Sequence, residues 1–322
     1  MKKRLVSVLV VLALIFASAS LFVGCQKEEA PASEESASEE SSEQGVSKAE
    51  VIREAVNDFF ADIPADNNKI SHKDFVEKVK AGEDLFIISI RQAADYNEGH
   101  VKGAINVPWG PDMMKALDFI PKDETVYAYC YSGQTCGQYV AHLNMLGINA
   151  KSVNLGYNFG ISKVEGAEEI ITTEASEFEG KSGASFDPVL REAIEAYYQG
   201  LADVADTKFK NYKISEQDMK EIVDSGNDDY YILSIRQEKD YNEAHIEGAE
   251  LIPWGAGMQE QFDKLPADKK ILAYCYSGQT CGQTVAGLRL LGYDAVSLNG
   301  GIGVGANAPI GWTNKGYPTV SN

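Results

Sequence analysis

Tyr129-Cys130-Tyr131-Ser132-Gly133-Gln134-Thr135-Cys136-Gly137-Gln138 recurs letter for letter as Tyr274-Cys275-Tyr276-Ser277-Gly278-Gln279-Thr280-Cys281-Gly282-Gln283. Each copy follows an apolar run rich in strand formers (residues 125–128 and 270–273) and precedes a helix-like stretch (residues 139–146 and 284–291). The pattern predicts a strand, a short glycine-containing loop and a helix, with a cysteine where the strand ends. Successive main-chain N–H groups of such a loop, together with the helix N-terminus, can surround one sulfur and an anion attached to it. The duplication therefore predicts two nucleophile sites in one chain.

Working outward, the repeat extends over most of the sequence. Val51-Ile52-Arg53-Glu54-Ala55 matches Val189-Leu190-Arg191-Glu192-Ala193, each opening an amphipathic helical pattern. Ile70-Ser71 and Ile214-Ser215 precede a second helix, with the serines as N-caps. Strands are expected at residues 85–90 and 230–235, 104–107 and 249–252, and 151–155 and 295–298, besides the two that enter the cysteine loops. Short strands alternating with helices argue for an α/β fold with a mostly parallel sheet, in which sites form at the carboxyl ends of strands. The expected boundaries are a first domain at 48–164, a Glu-, Gly- and Ser-rich linker at 165–187 and a second domain at 188–322.

The N-terminus reads differently. Lys2, Lys3 and Arg4 precede an apolar run that ends Leu21-Phe22-Val23-Gly24-Cys25. This resembles a bacterial lipoprotein signal over residues 1–24, with Cys25 as the lipidated (palmitate-bearing) residue and Phe22 where leucine is usual. An uncleaved membrane-spanning anchor is the other reading. Either places the remainder on the extracytoplasmic face of the cell membrane. Residues 25–47, dominated by Glu, Ser and Ala, cannot bury apolar surface and are expected to form a solvated tether.

The net charge is −19, which argues against nucleic-acid partners and against a polybasic membrane patch. Of the five cysteines, one falls at the lipid position and two in each repeat. With four histidines scattered away from them, no zinc-like spacing exists, and neither metal nor cofactor is expected.

Several further segments, in the same order in both halves, carry a family resemblance. They are Ser89-Ile90-Arg91 with Ser234-Ile235-Arg236, and Tyr96-Asn97-Glu98-Gly99-His100-Val101-Lys102-Gly103-Ala104 with Tyr241-Asn242-Glu243-Ala244-His245-Ile246-Glu247-Gly248-Ala249. Pro108 and Pro253 follow, and Gly300, Gly301, Trp312, Gly316 and Pro318 close the second copy. In these features the chain resembles the rhodanese family of sulfurtransferases. The resemblance implies two tandem domains, each a five-stranded parallel sheet flanked by helices. It also implies Cys130 and Cys275 as catalytic residues, with Tyr131, Ser132, Gly133, Gln134 and Thr135, and Tyr276, Ser277, Gly278, Gln279 and Thr280, as substrate-binding loops. Related phosphatases have a longer loop ending in arginine, a role that Thr135 and Thr280 cannot fill.

The implied chemistry is attack by a cysteine thiolate on the outer sulfur of a donor, giving a persulfide that a thiol acceptor then discharges. Gly133 and Gly278 are expected at positive φ, letting the loop approach the ligand. Ser89 and Ser234 stand where the family carries Asp, the loops contain no Arg or Lys, and Asp95 and Asp240 lie near where some relatives carry Arg. An uncharged loop on an acidic protein favours a neutral or weakly charged donor, a persulfide or polysulfide, over thiosulfate. A sulfur carrier with little turnover is the alternative.

Arg91 and Arg236 are expected beside the loop, lining it or anchoring a carboxylate. Cys136 and Cys281 are either packing residues or resolving thiols. His100 and His245 are expected to be structural, and Trp109 and Trp254 to cap the core.

Overall fold

The computed structural model describes residues 46–177 and 184–322. The expected signal, Cys25 and all but the end of the expected tether lie outside the described residues, as do residues 178–183 of the expected linker.

In the first repeat the elements are α1 (Lys48–Ala61), β1 (Lys69–Ile70), α2 (His72–Lys80), β2 (Phe86–Ser89), α3 (Ala93–Glu98), β3 (His100–Val101), β4 (Ala104–Asn106), β5 (Val126–Tyr129), α4 (Gln134–Met145), β6 (Ala150–Val153) and β7 (Ile171–Thr172). The second has α5 (Pro188–Gln199), β8 (Lys213–Ile214), α6 (Glu216–Ser225), β9 (Tyr230–Ser234), α7 (Glu238–Glu243), β10 (Ala249–Leu251), β11 (Lys270–Tyr274), α8 (Gln279–Leu290) and β12 (Ala295–Leu298). Two five-stranded sheets result, in the orders β1-β6-β5-β2-β4 and β8-β12-β11-β9-β10, with every pairing in them parallel. Central strands such as β2 and β11 read as almost unbroken apolar runs because helices cover both faces of a parallel sheet.

Local signals set the helix starts. Ser47 and Glu50 form a reciprocal capping box on α1, and the hydroxyls of Ser71 and Ser215 accept from Lys73 and Asp218 N–H. Asp187 caps α5, whose first position is Pro188. The fifth strand of each sheet is only two residues long, too short for an alternation pattern, so it was not visible as a strand in the sequence.

The stretch read as the linker begins by folding back on the first repeat. β7 pairs antiparallel with β3, matching His100 with Thr172, and Ser176 bridges to Ile105. His245 makes the equivalent bridge to Val320 at the end of the second repeat.

The leading helix of each repeat packs against the other repeat as well as its own. From α1, Phe60 packs edge-on against Trp254 and Phe262 of the second repeat, and its carbonyl accepts from Gly257 N–H at 3.0 Å. From α5, Tyr198 packs against Trp109 and Tyr139 of the first repeat and meets His142 Nδ1 at 3.0 Å. One apolar core consequently runs through both repeats. Between them α4 and α8 cross at Gly137 and Gly282, where any Cβ would overlap the facing helix's backbone.

Candidate active site

In each sheet the central strand β5 or β11 delivers a cysteine to its carboxyl end, and α4 or α8 begins four residues later. Gly133 and Gly278 turn the chain into the helix at φ 89° and 91°, a left-handed conformation that favours glycine. This places the Gly133 amide 3.0 Å from Cys130 Sγ and the Gly278 amide 3.1 Å from Cys275 Sγ, donating to sulfur in both cases. The N–H groups of Gln134, Thr135 and Cys136 open α4 and have no intrahelical acceptor, so the helix start presents free donors and its positive dipole end beside the sulfur. Cys130 and Cys275 are each only 2% exposed. From below, the loop rests on Gly156 (φ 60°) or Gly301 (φ 62°); a Cβ there would lie 2.7 Å from Cys130 O or 2.5 Å from Cys275 O.

The outer wall is held by side chains. Tyr131 Oη donates to the Asp95 carboxylate and accepts from Gln92 N–H at 3.0 Å; Tyr276 does the same with Asp240 and Gln237. Burial, aided by the neighbouring Asp95, pushes the Tyr131 phenol up, keeping it a donor. Arg91 donates to the carbonyls of Gly99 at 2.7 Å and Asp95 at 2.8 Å, with its guanidinium 3.9 Å from the Tyr157 ring centroid. Arg236 donates to Ala244 O and Asp240 O. Both arginines thus anchor main-chain carbonyls, not a carboxylate. His100 lies between the carbonyls of Tyr96 and Glu174, a structural position. Cys136 and Cys281 are fully buried in the apolar core, and burial, reinforced by the nearby Cys130 or Cys275, pushes their thiols well up.

Residues 71–159 and 215–306 both match the family model described as Rhodanese-like domain. The chain belongs to the rhodanese-like family. Over 122 residues it is 32% identical to "Probable adenylyltransferase/sulfurtransferase MoeZ" of Mycobacterium tuberculosis, a match covering 37% of this chain and 29% of that one. The chain therefore spans under a third of that relative's length. It is 24% identical over 246 residues to "Putative thiosulfate sulfurtransferase 2" of Mycobacterium bovis, covering 68% of this chain and 75% of the relative. Among solved structures, SseA of Escherichia coli, a 3-mercaptopyruvate sulfotransferase by its description, aligns at 16% identity and a TM-score of 0.32, covering 72% of this chain and 98% of that one.

Around this rhodanese loop the structure adds residues that the sequence reading did not assign. A cavity of about 520 Å³ opens over Cys130, lined on one side by Gln92, Trp109, Tyr131, Ser132 and Thr135. Its other side comes from the second repeat, through Leu201, Asn211 and Lys213 among others. Trp109 and Trp254 pack on the core as expected, and in addition Trp109 donates from Nε1 to Asn211 Oδ1 at 3.1 Å and Trp254 to Asn67 Oδ1 at 2.7 Å.

Gln134 and Gln279 belong to the loops through their backbones, but their side chains leave them. Gln134 Nε2 donates to Ser297 Oγ at 2.7 Å and Leu298 O at 2.9 Å, while Gln279 Nε2 donates to Ser152 Oγ at 2.6 Å. They brace the two repeats together and are not free to line a substrate. The one available signal was the identity of Gln134 and Gln279 inside the repeated decapeptide, which says nothing about direction.

Proposed function

We propose that the chain is a sulfurtransferase in which Cys130 and Cys275 each carry sulfane sulfur as a persulfide. The observation that carries this reading is the amide-to-sulfur contact of 3.0–3.1 Å at the start of a helix, made twice and opening, at Cys130, onto a cavity. The thiolate attacks the outer sulfur of a donor; a new S–S bond forms at cysteine as the donor's S–S bond breaks, and the leaving fragment keeps the electron pair. With thiosulfate the leaving fragment is sulfite, and charge is conserved across the step. The resulting terminal sulfur is anionic, so the amides that favour the thiolate also favour the persulfide. An acceptor thiolate then takes that sulfur and regenerates cysteine. Persulfide, polysulfide and thiosulfate all fit as donors and a small thiol as acceptor, with the protein held to the extracytoplasmic membrane face through Cys25.

Loading the protein with thiosulfate, polysulfide and mercaptopyruvate in turn, with mass spectrometry at each cysteine and turnover to a thiol, tests the proposal. The expected result is a 32 Da increment on Cys130 and Cys275 (about the mass of one sulfur atom), with Cys130→Ser and Cys275→Ser each removing one site. Loading without turnover identifies a carrier, and absence of loading by every donor refutes the proposal.

A further inference from the structure

Each sulfur site borrows a cation from the opposite repeat. The chain leaves α5, which is packed on the first repeat, and crosses above Cys130 before entering β8 of the second. Lys213, the first residue of β8, lines the cavity together with Cys130. Two contacts independent of charge set this placement. Lys213 is the in-register neighbour of Ser297 on β12, and Ser297 is the residue grasped by Gln134 of the Cys130 loop. Asn211, two residues before Lys213, takes the indole N–H of Trp109.

The second site repeats the arrangement. Lys69 opens β1 in register with Ser152, which Gln279 of the Cys275 loop holds, and Asn67 takes the indole N–H of Trp254. Both lysines are half-buried, and among the described residues neither forms an ion pair. Burial lowers the pKa of each ammonium, opposed first by the sulfur of Cys130 or Cys275 and then by Glu216 or Asp66. The neighbouring acids are engaged elsewhere. Glu216 accepts from Gly311 N–H and Asn299, and Asp66 is paired with Lys151.

We propose that Lys213 and Lys69 are the anion-binding residues of the Cys130 and Cys275 sites respectively, each supplied by the other repeat, and that the donors are anionic sulfane-sulfur compounds. The cysteine loops contain no basic residue; Lys210 also lines the Cys130 cavity but is exposed, so half-buried Lys213, with Lys69 at the second site, provides the sheltered positive charge that faces the donor and the departing anion. This departs from the neutral or weakly charged donor, a persulfide or polysulfide, that the loop alone favours. The donor class rests on the sulfur-transfer reading; the lysine's role does not, and its test uses no sulfur chemistry.

The test is site-resolved alkylation with iodoacetate, an anion, against iodoacetamide, its neutral counterpart, followed by mass spectrometry. The ratio of the two rates at one cysteine reads attraction of the anion separately from thiol ionisation. Lys213→Met is expected to lower this ratio at Cys130 about tenfold and leave it unchanged at Cys275. Lys69→Met should do the reverse, and Lys213→Arg should retain the wild-type ratio. Unchanged iodoacetamide labelling at Cys275 in Lys213→Met verifies the fold in the same molecule. A ratio at Cys130 that does not move in the folded Lys213→Met protein, or one that moves only at Cys275, overturns the assignment. If the ratio falls as expected while no donor loads sulfur, the anion site stands and the sulfurtransferase reading fails.

Discussion

Cys130 and Cys136 show how little the identity of a residue says about its chemistry. The first meets an amide and a cavity, whereas the second faces the apolar core with no exposure. A thiol that burial keeps protonated is a poor nucleophile toward a neighbouring persulfide. Cys136→Ala is accordingly expected to leave sulfur transfer within about twofold of wild type and to cost about 1 kcal/mol of stability, a small buried volume being lost. Parallel measurement of turnover and denaturant midpoint checks this; a large loss of turnover with an intact midpoint would mean that Cys136 resolves the persulfide. The sequence alone left these roles open because both cysteines sit in one decapeptide, and only the Gly133 amide and the cavity over Cys130 separate them.

At the scale of elements, the loop depends on what lies beneath it. Alanine at Gly156 would place a methyl carbon 2.7 Å from Cys130 O and Gly133 N while adopting an unfavourable φ of 60°. Gly156→Ala should therefore cost at least about 2 kcal/mol and reduce persulfide loading at Cys130 far more than at Cys275. Site-resolved mass spectrometry with a thermal melt reads both effects. Helix α4 contributes a second, pH-dependent property through His142, which is buried against Tyr197 and Tyr198. Burial, partly offset by the Ala286 backbone, lowers its pKa from 6.5 to about 3. Between these values the unfolded chain binds a proton that the folded chain refuses, so stability falls as pH drops below 6.5. Relative to His142→Gln, the wild-type protein should lose about 2 kcal/mol between pH 7.5 and pH 5, measured by urea unfolding at both values. Equal losses in the two proteins would count against a neutral buried histidine.

On the scale of the whole molecule, packing of α1 and α5 against both repeats makes the repeats interdependent. Phe60 is fully buried yet rests on Trp254, Phe262 and Gly287, all of the second repeat. Phe60→Ala should cost about 3–5 kcal/mol. Trp109 and Trp254, observed in Trp312→Phe variants that retain one of them at a time, should still report a single shared unfolding transition. Two separated transitions in the wild-type protein would contradict a continuous core.

The sequence by itself determined the tandem α/β architecture, the strands entering each cysteine loop and the positive-φ glycines within them, because all of these follow from local order along the chain. Periodicity, capping residues and a repeated decapeptide act over a few neighbouring positions, and the family motifs are contiguous segments. What only the tertiary structure decided is which repeat each side chain serves. Helices α1 and α5 each reach the other repeat, Gln134 and Gln279 reach away from their own loops, and Lys213 lines the cavity over Cys130. Those placements come from two apolar faces finding each other across more than a hundred residues. No local preference encodes a partner at that separation; it becomes visible only once the shared core has formed.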